Sequence, residues 1–138
     1  FRAEVLPHVD GAAVSYVGPV GPADRDRLLG GAAALLHLID FDEPFGLSVV
    51  ESLAAGTPVV TYGRGSMPEL IRDGVTGFLV GSVDAAVDAV GRLGSIDRAT
   101  CRSDAAQRFS ASRMVADYER LFAAVAAGEV SPMQLPRG

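Results

Sequence analysis

Tryptophan is absent and aromatic residues make up only 7% of the 138, so Ala, Val, Leu and Gly must fill whatever core exists. Cysteine occurs once, at Cys101, which excludes an internal disulfide. A reducing, cytoplasmic setting fits that usage and is the expected location. No apolar run approaches the ~20 residues needed to span a bilayer, so no transmembrane segment is expected. The longest run, Ala32 to Ile39, is strand-sized and interrupted by His37. No signal peptide is visible, and a sequence that begins at Phe1 reads as cut from something longer. Basic residues are outnumbered, 12 against 17 acidic, for a net charge of −5. The clustered Lys and Arg that a nucleic-acid backbone requires are therefore missing. No His and Cys residues have metal-ligand spacing, and no Ser–His–Asp arrangement can be argued. Neither a metal nor a cofactor is expected.

What is present points to a compact α/β domain. Nearly half the residues are hydrophobic and the mean hydropathy is positive, which favours a globule over a disordered tail. The length suits one domain with a real core and not two. Ala12 to Val17 reads as a strand stopped by Gly18-Pro19 and Gly21-Pro22. Pro22 opens a helix that should end at Gly30-Gly31. Ala33 to Ile39 suits a strand buried on both faces of a parallel sheet. Helical period follows from Gly46 to Ala55, with Leu47, Val50, Leu53 and Ala54 on one stripe. Val59 to Tyr62 is the next strand, and Gly63-Arg64-Gly65 leads to a short helix from Met67 with Ser66 as its N-cap. Gly77 to Val80 is the last strand. Beyond it, Val83, Ala86, Val87, Val90 and Leu93 form a helical stripe, and Asp97 caps a helix running towards Phe109. Ser110 opens another, with Met114, Val115, Tyr118, Leu121, Phe122 and Val125 on its buried face. The expected division is a domain over residues 1–126 and a flexible tail over 127–138.

Strands separated by helices imply a Rossmann-like parallel sheet with helices on both faces. Ligands bind such sheets beyond the carboxyl ends of the strands, where the loops Asp40–Phe45 and Gly63–Ser66 lie. Phe45-Gly46-Leu47-Ser48 joins a buried strand to a helix start. The first amides of that helix lack internal partners and its dipole is positive there, so the position favours phosphate. Glu51 lies roughly 7 Å along the axis from Gly46 and leans back towards the N-terminus. Glu43 flanks the same opening from the preceding loop. A carboxylate on each side of a phosphate cradle suits a ligand with hydroxyls at both ends, such as a nucleotide-sugar. Two carboxylates near a helix start also stabilise it without binding anything.

The run Glu43-Pro44-Phe45-Gly46-Leu47-Ser48-Val49-Val50-Glu51, continuing through Ala55-Gly56-Thr57-Pro58, resembles the E-x7-E donor motif of retaining glycosyltransferase family 4. The resemblance extends through Gly65-Ser66-Met67-Pro68-Glu69 and Asp73 to Val80, and covers roughly residues 12 to 122. It implies the C-terminal half of a GT-B fold. It also implies transfer of a hexosyl or related group from a nucleotide-diphosphate donor, with retention of anomeric configuration and without metal. On that resemblance Glu51 binds the donor ribose, and Glu43 binds the transferred sugar and acts in catalysis. The amides of Phe45, Gly46, Leu47 and Ser48 contact sugar and phosphate, and Val17 to Val20, chiefly Val17 and Gly18, line a base pocket. The chain departs from the family at Leu38, where a small residue or Pro is usual. The family's phosphate-binding Arg and Lys and its N-terminal acceptor-binding domain have no counterpart here. The fragment alone is thus expected to be inactive, and the absent domain is its implied partner.

Other residues attract blander readings. His37 fits a hydrogen-bonded core or rim position, Cys101 a structural one, and Arg64 a solvated surface near the ligand side. A non-catalytic nucleotide- or phosphate-binding domain is the alternative function. A receiver-like signalling domain would need an acidic pair after an earlier strand and a later Lys, and no Lys is in any such place.

Overall fold

The computed structural model describes residues 3–129. Its centre is a three-stranded parallel sheet of order β1-β2-β3, formed by Leu35–His37 (β1), Val59–Tyr62 (β2) and Gly77–Val80 (β3). Leu35 pairs with Val59 and Val59 with Gly77, so the three strands start level. Helices α1 (Pro22–Gly31), α2 (Leu47–Ala54), α3 (Met67–Leu70), α4 (Val83–Gly91), α5 (Arg98–Phe109) and α6 (Ala111–Ala126) alternate with and follow the strands. Successive residues of a strand point to opposite faces, and Val59, Val60 and Thr61 are each no more than 1% exposed. The middle strand is therefore covered on both sides, as a parallel sheet requires.

The bounds of β2, β3 and α5 match the sequence reading, because local breakers and caps set them. Asp97 accepts from the amides of Ala99 and Thr100, closing the start of α5. The Thr100 hydroxyl, then the Ala99 and Thr100 amides, hold the Asp97 carboxyl below the usual carboxylate range. A depressed folded value means that its stabilisation is present at neutral pH and lost as pH falls through that value. Asp97→Ala is accordingly expected to lower the thermal midpoint at pH 7, with the gap from the parent closing in acid. A gap that is constant with pH would exclude the charge as its source.

Several expectations are corrected. Ala12 to Val17 is not a strand. Asp10 Oδ1 accepts from the amides of Ala12 and Val14, both at 2.8 Å, so a local turn takes hydrogen bonds that a ladder would need. The first strand, β1, is shorter than Ala33–Ile39 and is an edge of the sheet, with Leu36 56% exposed. On α2 the buried face is Val49, Ser52 and Leu53, while Leu47 faces out. Ser52 is tolerated inside because its hydroxyl donates to the Thr57 carbonyl at 3.0 Å. On α4 the small residues Ala86 and Ala89 approach the sheet, and Val83, Val87 and Val90 are exposed.

The expected inner face of α6, from Met114 to Val125, is exposed throughout, because no described element packs against it. Residues 127–129 finish α6: the amides of Gly128 and Glu129 donate to the carbonyls of Val125 and Ala124, with Gly128 at φ +72°. The remainder of the expected tail, 130–138, lies outside the described residues.

Candidate donor site

Beyond the carboxyl ends of the strands, the loop after β1 meets the loop after β2. Arg64 donates to Asp40 (2.5 Å) and Asp42 (3.0 Å), so it is an inter-loop link and not a free surface cation. Ser66 donates from its amide to the Glu43 carbonyl at 3.0 Å. Its hydroxyl lies 2.9 Å from the same oxygen and 2.8 Å from the Phe45 carbonyl. Ser66 stands at the N-cap position of α3 as expected, but its side chain makes no cap bond and serves the neighbouring loop instead. Gly65, at φ +54°, lets the two backbones touch: a Cβ there would meet Glu43 N and O at 2.7 Å. By sequence, contacts to sugar or phosphate and turn and cap roles explain Gly65 and Ser66 equally well, and the close approach of Gly65 to Glu43 has no local signal.

Glu43 is half-buried, and its Oε1 accepts from the amides of Gly46 (3.2 Å) and Phe45 (3.5 Å). Gly46 is the N-cap of α2 at φ +89°. A Cβ at that position would lie 2.7 Å from the end of the flexible Met67 side chain and 3.1 Å from Leu70, so it is the positive φ, more than the space, that calls for glycine. The four amides of Phe45 to Ser48 thus fall into two pairs. Glu43 engages the first two. Among the described residues, the amides of Leu47 and Ser48 have no protein acceptor, and both residues are exposed. They form the positive end of α2.

Glu51 is on the same helix and its Oε1 accepts from Arg25 Nη1 at 2.5 Å. Arg25 is a site neighbour that the sequence reading missed, since 26 residues separate the pair. Val17 is 62% exposed and Gly18 half-buried at φ +68°, in the irregular segment before α1. The structure thus brings Glu43, Phe45, Gly46, Leu47, Ser48 and Glu51 onto one loop and helix start.

Two open hollows flank this region. One, of about 560 Å³, is lined by Leu38, Asp40, Tyr62, Gly63, Arg64, Val80 and Gly81. The other, of about 500 Å³, lies between Phe45 and the start of α6, with Phe109, Met114 and Tyr118 on its walls. Neither is lined by Glu43 or Glu51. His37 Nε2 is buried with no hydrogen-bond partner among the described residues, in contrast to the bonded histidine expected. Cys101 is buried against the Thr76 carbonyl and its thiol is pushed up by burial, which suits a structural residue. Among the described residues, no group of three His, Cys, Asp or Glu is placed to hold a metal. No helix among them is long and apolar enough to cross a membrane.

A family model described as "Glycosyl transferases group 1" matches residues 10–107. The D-inositol 3-phosphate glycosyltransferase of Mycobacterium tuberculosis (strain H37Rv) is 37% identical over 106 residues, covering 73% of this chain and 22% of the relative. The protein of that name from Mycobacterium bovis (strain BCG / Pasteur) gives the same figures, so the chain spans about a fifth of the length of these relatives. Among solved structures, Anabaena HepE in complex with UDP aligns with a TM-score of 0.72 at 24% identity, over 80% of this chain and 32% of that one. The complex of the same protein with UDP-glucose aligns at 0.68. At that identity the likeness shows the fold.

Proposed function

The chain belongs to the glycosyl transferases group 1 family, and on that premise we propose that it supplies the donor-binding half of a retaining glycosyltransferase. The observation that carries this reading is the pair of free amides, Leu47 and Ser48, between two carboxylates at the ligand end of a parallel sheet. A diphosphate seated there faces the positive end of α2. Glu51 then takes the ribose hydroxyls, and Glu43 takes hydroxyls of the sugar. Val17 and Gly18 are the candidates for the base pocket. That HepE was solved with UDP and with UDP-glucose on a similar fold supports the ligand class.

In the proposed reaction the bond between the anomeric carbon and the phosphate oxygen breaks. The acceptor hydroxyl adds to the same face of the sugar, which retains configuration, and its proton passes to the leaving phosphate. The amides of Leu47 and Ser48 stabilise the charge that grows on that phosphate. The same proposal includes a metal-independent transfer in the cytoplasm, residues 1–126 as the donor domain, and an acceptor domain elsewhere in the intact protein. In that arrangement the 138 residues alone do not turn over.

Glu51→Ala in the intact protein is expected to weaken UDP or GDP binding by roughly 10-fold or more, the scale of hydrogen bonds to a charged group. Titration calorimetry measures it, and unchanged affinity would sink the ribose assignment. Nucleotide binding by the intact protein without sugar transfer or donor hydrolysis would favour a non-catalytic domain instead.

A further inference from the structure

We propose that Arg25 is a positioning residue for the donor site, holding one oxygen of Glu51 so that the other faces the nucleotide. This rests on the assignment of Glu51 to the ribose. Arg25 grips Asp26 Oδ1 with both Nε (3.0 Å) and Nη2 (2.8 Å), leaving Nη1 to reach Glu51 Oε1 at 2.5 Å. A guanidinium is planar, so fixing one edge on Asp26 fixes the direction of Nη1. The Arg25 and Glu51 side chains are 36% and 34% exposed, so both are partly sheltered and still reachable by a ligand. Among the described residues Glu51 receives no other donor, and Oε2 is left for a hydroxyl.

A mere staple between helices does not account for the contact. α1 buries no residue, and its far end is tied independently. The Thr57 hydroxyl donates to the Leu29 carbonyl (2.5 Å), and Arg98 donates to the carbonyls of Gly30 (2.8 Å) and Ala32 (2.7 Å). Those links hold the C-terminal end of α1 without Arg25. What Arg25 adds is order in a side chain that otherwise loses rotamer freedom when a ribose binds. A glutamate already held loses less, so the pair favours binding. If Arg25 only competed for Glu51, its removal would have the opposite sign.

The test uses the intact protein and whichever of UDP and GDP binds more tightly, beside its 2′,3′-dideoxy analogue. Arg25→Ala is expected to weaken the natural nucleotide roughly three- to ten-fold and to leave the analogue's affinity unchanged, so the preference for ribose contracts. Arg25→Lys restores a cation of similar reach and recovers part of it. The thermal midpoint of Arg25→Ala stays near the parent's. An unchanged preference, or tighter binding of the natural nucleotide, would overturn the inference. A parent protein that does not prefer the ribose form overturns the role of Glu51 itself, and this inference with it.

Discussion

Replacing Glu43 by Gln is expected to lower kcat for sugar transfer in the intact protein by roughly 100-fold, with the fold intact. The substitution isolates charge. Among the described residues Glu43 uses only Oε1, accepting from the Gly46 and Phe45 amides, and the carbonyl oxygen of Gln can accept both. Its main chain is held by Ser66, whose amide and hydroxyl both reach the Glu43 carbonyl, and no side chain at 43 alters that. What disappears is a negative charge beside the sugar as positive charge grows on its ring. A hundred-fold loss corresponds to about 2.7 kcal/mol. Unit charges 4 Å apart interact by about 4 kcal/mol at the effective dielectric near a protein surface, so the loss is within reach of one carboxylate. Steady-state kinetics decides between roles: a fall in kcat assigns Glu43 to the reaction, and a rise in KM alone assigns it to binding. A variant within two-fold of the parent in both would remove Glu43 from the site.

That loop was legible in the sequence because its signals are local. Gly46 sits where a strand pattern gives way to a helix, and the observed φ of +89° is one that few other residues adopt. Asp97 and the Gly56-Thr57-Pro58 punctuation act within a few residues of themselves, and α5 and β2 begin where they point. Facing is a different matter. Periodicity shows that α2, α4 and α6 each carry an apolar stripe, but which side is covered depends on what stands opposite. For α2 it is Val49 and Leu53, for α4 a pair of alanines, and for α6 nothing among the described residues. Ala12 to Val17 has the composition of a strand and lacks the neighbour that makes one, while Asp10 offers its amides a nearer acceptor. Pairs made across the chain leave no trace in spacing at all. Arg25 with Glu51 and Arg64 with Asp40 are 26 and 24 residues apart, and only the folded sheet brings them together.

One methyl group placed at two glycines is expected to separate site from scaffold. At Gly77 it stands inside the ladder: a Cβ would overlap the Val59 carbonyl oxygen and lie 3.0 Å from Val59 C and N. Val59 pairs with Leu35 on one side and Gly77 on the other, so its backbone cannot retreat without opening β1 from β2. Gly77→Ala should therefore destabilise the domain by roughly 3 kcal/mol, read as a lower denaturation midpoint. At Gly65 the added Cβ meets Glu43 N and O at 2.7 Å and Asp42 C at 3.0 Å, again backbone, and φ is +54°. Here, however, both partners are loops, Gly65 itself is exposed, and the segments can part without disturbing the core. The strain costs about 1 kcal/mol, while a shift of about 1 Å in a catalytic group can cost 100-fold in rate. Gly65→Ala is thus expected to keep most of its stability and to lose at least about ten-fold in transfer rate. Full activity in Gly65→Ala would show that the position of Glu43 does not depend on this contact. A denaturation midpoint for Gly77→Ala equal to the parent's would show that β2 and β3 can move apart freely, contrary to the buried, doubly paired position of Val59.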